Sequence, residues 1–400
     1  MTGSKSIEDF PGLARLRAEL AAMADQQLLR VRRLVESPQG VDIRVDGESL
    51  LSFSSNDYLG LAADPRVVAA FADGLKRYGA GSGASHLVTG HSVAHHALEE
   101  ELAAFAGTER ALLFSTGYMA NLAVAGALLD RHGTVFEDRL NHASLIDAAR
   151  LSGARVKRFH HGEVERLATQ LAETERETGS AADKLILSDG VFSMDGNLAR
   201  LPELLNLAQQ YRSWLLVDDA HGIGVLGKAG RGTFEFHGLV PRAPAILLGT
   251  LGKAFGTFGA FVAGEADLIE YLVQRARPYI YTTALPPAVA AATRASLRIV
   301  QDEGWRRDVL RERVAQFRTG AAQLGFTLLD SPTPIQPIII GTAEAALAAS
   351  EALRQHGILA PAIRPPTVPV GTSRLRISLS AVHTQAHVEQ LLTALAEVRV

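Results

Sequence analysis

The chain contains no cysteine. Disulfides, thiolate metal sites and cysteine nucleophiles are therefore excluded. No stretch approaches the roughly 18 apolar residues that a membrane span requires. Strong charge of one sign is missing too, the net charge being −3, so neither nucleic acid nor an anionic membrane is an expected partner. Lys5, Glu8 and Asp9 precede any apolar run, and no secretory signal is expected. These absences fit a reducing, cytoplasmic setting, and no metal is expected. What is present is the balance of a globular protein, 47% hydrophobic and 21% charged over 400 residues. That length predicts one large domain with smaller appendages.

The pattern along the chain divides at residues 55 and 286. Residues 1–55 read as a charged amphipathic helix over 11–35, then a small hairpin over 41–53. In 56–286, glycine-rich Gly79–Gly90 is too irregular for a helix and reads as a backbone-rich site loop. Helices and short apolar strands then alternate: strands at 111–115, 134–138, 155–159, 184–189, 214–219, 245–249 and 260–264. Continuous apolar strands separated by helices indicate an α/β domain, its large mostly parallel sheet covered on both faces. Residues 287–400 read as a smaller α+β domain, with a long helix over 287–324 and strands near 334–341 and 374–380.

One lysine stands in a glycine-lined turn after a buried strand, in LLGTLGKAFGTFGA (247–260). A lone Gly-Lys pair is most often a solvated surface turn. A phosphate-binding GxxxxGK[ST] loop fails, because Ala254 follows Lys253. A Schiff-base lysine holding pyridoxal phosphate is the third reading, and it predicts a carboxylate for the pyridine nitrogen, a ring-stacking group and a phosphate cradle. Asp218, after a buried strand, is expensive unless it meets a cation. His221 is three residues on, where it can face the same ligand, and Asp219 points the other way if the strand continues. His142 follows another strand and is a stacking candidate. Gly117 and Tyr118 open a helix whose free N–H groups suit a phosphate. Ser193 and Thr250 offer hydroxyls at neighbouring strand ends.

Taken together, the motifs resemble the α-oxoamine synthases of the fold-type I pyridoxal-phosphate enzymes. The resemblance is carried by FSSNDYLGL (53–61), GHSVAHHALEEELA (90–103), LNHASLIDAA (140–149), GVFSMDG (190–196), VDDAHGIGVLG (217–227), GTLGKAFG (249–256), YTTALPP (281–287) and RPPTVPVGTSRLRISLSA (364–381). It implies that Lys253 forms the Schiff base with pyridoxal 5'-phosphate, that Asp218 pairs with the pyridinium, that His221 meets the phenolic oxygen and that His142 stacks on the ring and meets substrate. It further implies that Gly117, Tyr118, Ser193, Thr250 and Thr282 hold the cofactor. Arg364 would bind an amino-acid carboxylate with Thr367 beside it, and Arg30 an acyl substrate. Asn56 and Thr282 would reach the site from a second subunit of a homodimer. The implied substrates are L-alanine and a pimeloyl thioester. A sister activity on glycine and an acetyl thioester is the alternative, and a cofactor-free subunit is a third.

Overall fold

A computed structural model describes residues 11–398, so Lys5, Glu8 and Asp9 lie outside the described residues. The chain opens with α1 (Pro11–Asp25), the hairpin β1 (Asp42–Val45) and β2 (Glu48–Ser52), then α2 (Pro65–Tyr78) and α3 (Val93–Ala106). Alternation follows: β3 (Arg110–Phe114), α4 (Gly117–Leu128), β4 (Thr134–Asp138), α5 (Ala143–Leu151), β5 (Arg155–Phe159), α6 (Val164–Thr178), β6 (Lys184–Asp189), α7 (Leu201–Gln210) and β7 (Trp214–Asp218). A short α8 (Thr233–Phe236) precedes β8 (Ala245–Thr250), β9 (Ala260–Gly264), α9 (Ala266–Arg275) and α10 (Arg277–Ile280). The rest is α11 (Pro287–Asp302), α12 (Trp305–Gln323), β10 (Ile335–Gly341), α13 (Ala343–Gln355), β11 (Ile358–Leu359), β12 (Ala362–Ile363), β13 (Ser373–Ser378) and α14 (Gln385–Glu397).

Seven strands form the central sheet in the order β3-β9-β8-β7-β6-β4-β5. Only β9 runs against its neighbours. Successive residues serve opposite faces, because side chains alternate along a strand. Ile186, Leu215, Val217 and Leu247 join one apolar cluster. Leu185, Leu187, Leu216, Ile246 and Leu248 join the other, with Ala120 and Val124 of α4 and Leu145 of α5. Each such fully buried aliphatic side chain stabilises the fold by about 1.5–3 kcal/mol. This two-sided burial is why β6, β7, β8 and β9 read as apolar runs, whereas the edge strand β5 is charged and partly exposed.

The remaining strands make two small sheets, β10-β13-β12 and β1-β2-β11. The second ties the N-terminal hairpin to the C-terminal part, with Leu51 opposite Ile358. Backbone bonds continue that join: the Ser378 N–H donates to Phe53 O (2.8 Å) and the Ala381 N–H to Tyr58 O (2.8 Å). Helix α11 packs against α2 and α3 rather than on the small sheets.

Two helices differ from expectation. The first ends at Asp25 instead of 35, because Gln27 turns into the left-handed region (φ 54°) and the Leu28 N–H closes on Met23 O (2.8 Å), a Schellman-type stop. The helix expected over 287–324 is two helices, α11 and α12, separated at Glu303 and Gly304. Glu303 leaves helical geometry there and its carboxylate accepts from Arg306 Nε (2.7 Å) and Arg66 Nη1 (2.6 Å). The Gly79–Gly90 loop holds one wide helical turn, His86–Gly90.

The lysine turn after β8 is crossed closely by residues 61 and 62. Gly256 sits there at φ 63°, and a Cβ on it would lie 2.3 Å from Ala62 N and 2.5 Å from Leu61 C. Backbone atoms cannot yield as a side chain would. Gly256→Ala is expected to destabilise the protein by at least the roughly 1–2 kcal/mol of a left-handed L-residue, read as a lower urea midpoint. An unchanged midpoint would show that the crossing is not tight.

Candidate active site

The carboxyl ends of β6, β7 and β8 gather Asp189, Asp218 and Lys253. Crevices beyond the carboxyl ends of parallel strands are the usual ligand sites of such sheets. Asp218 follows the Leu216 side of β7 and faces α4 and α5. Asn121 Nδ2 donates to its Oδ2 (2.7 Å), and the Ala220 N–H to its Oδ1 (3.1 Å). Asn121 also reaches Ser144 Oγ (2.8 Å), so one amide locks the acid to two helices.

Asp219 turns to the opposite face. Its Oδ2 accepts from the Thr233 N–H (2.7 Å), while Oδ1 is buried without a partner among the described residues. Added Cβ atoms on Gly222 and Gly232 would collide with its carboxyl at 2.0 and 1.8 Å. Burial is the main reason its pKa rises to about 8.

Lys253 Nζ lies 3.0 Å from His221 Nε2, and the Tyr58 hydroxyl is 2.7 Å from His221 Nδ1. Desolvation pulls the lysine down to about 8, while the charges of Asp218 and Asp189 hold it up. Desolvation, with Lys253 and Arg376 nearby, keeps His221 well below its ordinary range. His142 caps α5: its Nδ1 lies 2.7 Å from Ser144 Oγ, and its N–H donates to Asp189 Oδ2 (2.6 Å). The residue is solvent-exposed overall, yet desolvation of its ring lowers its pKa, against the charge of Asp218. Asp189 is fully buried; desolvation, then the charge of Asp218, raises its carboxyl well above the usual range. The cleft thus lowers two imidazoles and one amine below their ordinary ranges.

At the N-terminus of α4, Thr116 Oγ1 accepts from the Met119 N–H (3.1 Å). The N–H groups of Gly117 and Tyr118 have no acceptor within the helix and remain for an anion. The Tyr118 phenol is no part of this cradle: it is exposed and bonded to Asp147. Thr250 Oγ1 donates to Gly259 O (3.2 Å), and Ser193 contributes its carbonyl to Arg376 Nε (2.7 Å).

Other expected residues make their hydrogen bonds elsewhere than to Lys253, although Asn56 is linked to it through Tyr58 and His221. Arg364 Nη2 donates to Leu29 O (2.9 Å), beside the segment carrying Arg30. Thr367 is exposed, its N–H on Arg364 O (3.1 Å). Thr282 lies on the segment that bridges Ser85 through Thr283. Asn56, implied to serve a second subunit, is tied into its own chain: Oδ1 accepts from Tyr58 OH (3.1 Å) and Arg376 Nη1 (3.3 Å). The bonds from Ser378 and Ala381 to Phe53 and Tyr58 hold it there.

Sequence reasoning missed Tyr58, Asn121, Asp189 and Arg376. Asn121 was detectable as a lone polar residue in the apolar helix GYMANLAVAGAL, and Asp189 as a carboxylate ending the apolar strand KLILSD, the same signal that singled out Asp218. Arg376 is buried on β13 and its charge acts on Lys253, His221 and Tyr58.

Known proteins are similar to this chain in sequence and fold. Residues 48–395 match the family described as aminotransferase class I and II. An 8-amino-7-oxononanoate synthase of Thioalkalivibrio sulfidiphilus is 60% identical over 380 residues, covering 95% of this chain and 96% of the relative. Among solved structures, serine palmitoyltransferase from S. paucimobilis with bound PLP-myriocin aldimine superposes with a TM-score of 0.88 at 30% identity, covering 99% of this chain and 98% of that one. The 8-amino-7-oxononanoate synthase of Francisella tularensis gives 0.74 at 31% identity, covering 87% and 97%. The fold is that of the fold-type I pyridoxal-phosphate transferases.

Asp219 yields a pH prediction. Its folded pKa of about 8 exceeds the reference 3.8, so the native state holds the proton longer than the unfolded chain does. Its contribution to stability is present below 3.8 and is lost as pH rises toward about 8. Asp219→Asn removes that loss. The decline of the urea midpoint across this window should be shallower in Asp219→Asn than in the wild type, and equal slopes would contradict the assignment.

Proposed function

The chain belongs to the class I and II aminotransferase family, among its 8-amino-7-oxononanoate synthases, and from that premise we propose that it joins L-alanine to a pimeloyl thioester. Carbon dioxide and the free thiol leave, and 8-amino-7-oxononanoate forms, a step of biotin synthesis. The enzyme is a pyridoxal-phosphate-dependent acyltransferase. The observation that carries the reading is the amine of Lys253, desolvated to about 8 between the charges of Asp218 and Asp189 and against His221.

The donor set fits pyridoxal phosphate. The Gly117 and Tyr118 N–H groups suit its phosphate, with Ser193, Thr250 and a partner's copy of Thr282 as further contacts. Asp218 suits its ring nitrogen, His142 its ring face, His221 its phenolic oxygen and Lys253 its aldehyde. When bound, the cofactor supplies the electron sink for ionising a carbon acid.

Lys253 is the base. With a pKa of about 8, roughly a tenth of the amine is neutral at pH 7, against about one part in a few thousand for an unperturbed lysine. Its Nζ takes the α-proton of alanine and later returns a proton. Asp218, held in place by Asn121, keeps a proton on the ring nitrogen. Tyr58 fixes the His221 ring so that Nε2 stays beside the amine. Arg364 grips the alanine carboxylate with two parallel bonds, which lysine cannot reproduce, with Thr367 alongside and Arg30 toward the acyl chain.

We assign the working form to a homodimer in the cytoplasm. In support, α1 buries none of its residues and presents Leu16, Leu20 and Met23 to solvent. Tyr281, beside Thr282, is also exposed.

A matrix of amino acids against acyl thioesters tests the reaction, run with wild type and Arg364→Ala. Wild type should prefer L-alanine with the pimeloyl thioester; a preference for glycine with the acetyl thioester would transfer the reading to the sister activity. A charge-assisted bond contributes about 1.5–3 kcal/mol, so Arg364→Ala should weaken alanine roughly tenfold to a hundredfold and the thioester far less. Unchanged alanine affinity would return the role to another cation, with buried Arg376 first in line.

A further inference from the structure

Four histidines crowd the start of α3, in a stretch the reaction does not use. His95 is fully committed: the Ser92 N–H donates to its Nδ1 (3.0 Å), and its Nε2 donates to Leu285 O (2.7 Å). His86 and His91 bring their Nδ1 atoms within 3.0 Å of each other. Two ring nitrogens at that distance need one proton between them. His86 is buried and stacked on Tyr279, ring centroids 4.9 Å apart. Placing the proton on His91 Nδ1, with His86 as acceptor, leaves the lone pair of His91 Nε2 free.

That nitrogen faces Glu99 Oε2 at 3.9 Å. The other carboxylate oxygen, Oε1, is anchored by the Leu113 N–H (3.0 Å). His96 and Glu99 lie three residues apart on α3, so they share a face. One ligand atom from each of His91, His96 and Glu99 lies within 4.8 Å of the others. His96 is exposed, which leaves an entry path and room for a water ligand.

We propose that His91, His96 and Glu99 form a binding site for a divalent transition cation of the zinc type, held by two imidazoles, one carboxylate and solvent. The donor set suits such an ion, which accepts nitrogen and oxygen ligands at about 2.0–2.2 Å. Tetrahedral ligands at those lengths sit about 3.3 Å apart, so the 3.9 Å gap closes by side-chain rotation. His86 supplies the outer hydrogen bond that metal-bound histidines characteristically make. The ion would tie the loop before α3 to the helix itself. The Ser85–Thr283 bridge and the Ala284 N–H bond to Ala84 O (3.0 Å) pass that restraint to the segment carrying Thr282. None of the three ligands has a role in the proposed reaction, and the site does not depend on it.

The test is calorimetric titration of the untagged, chelator-treated holoenzyme with Zn²⁺, paired with thermal unfolding. Wild type should bind one ion per chain and unfold at a higher temperature with the ion present. His96→Ala changes an exposed side chain, and Glu99→Gln keeps an acceptor for Leu113. Each should weaken binding at least tenfold and abolish the thermal shift. Absence of a stoichiometric site in wild type, or wild-type affinity in both variants, would overturn the proposal.

Discussion

Asp189 and Asp218 end two adjacent parallel strands, and Lys253 follows the end of the third. Each is ionisable where little water remains. Desolvation opposes every charge there, and mutual attraction restores part of what is lost. The outcome differs by residue: the amine falls to about 8, the two imidazoles fall below their ordinary range, and the Asp189 carboxyl rises above its own. The seven-stranded sheet matters because it holds these groups together while its apolar faces keep water out.

Alternation along β7 does the sorting. Leu216 and Asp218 look toward α4 and α5, while Val217 and Asp219 look toward the other layer. Adjacent aspartates therefore meet different chemistry. One is gripped by Asn121 and opens on the cleft; the other is packed among Gly190, Gly222 and Gly232. Those glycines leave space that the Asp219 carboxyl fills, so the second acid braces the turn that carries His221.

The central sheet was legible because burial on both faces leaves an unmistakable apolar run, and the cleft residues of β7 and β8 follow directly from strand ends. What escaped was set by contacts distant in sequence. Tyr58 meets His221 across 163 positions and Arg376 meets Asn56 across 320; no local pattern encodes either pair. Strand β13 is buried at every position, so periodicity could not show which arginine turns toward the lysine. The overlong first helix failed for a local reason. Gln27 adopts a left-handed stop that glycine usually marks, and the helical charge pattern runs past it.

Borohydride reduction of the purified holoenzyme, followed by digestion and mass spectrometry, locates the cofactor-bearing lysine directly. The reduced cofactor should be attached to the peptide containing Lys253, and Lys253→Ala should carry no attached cofactor. Attachment at a different lysine in the wild type would contradict it.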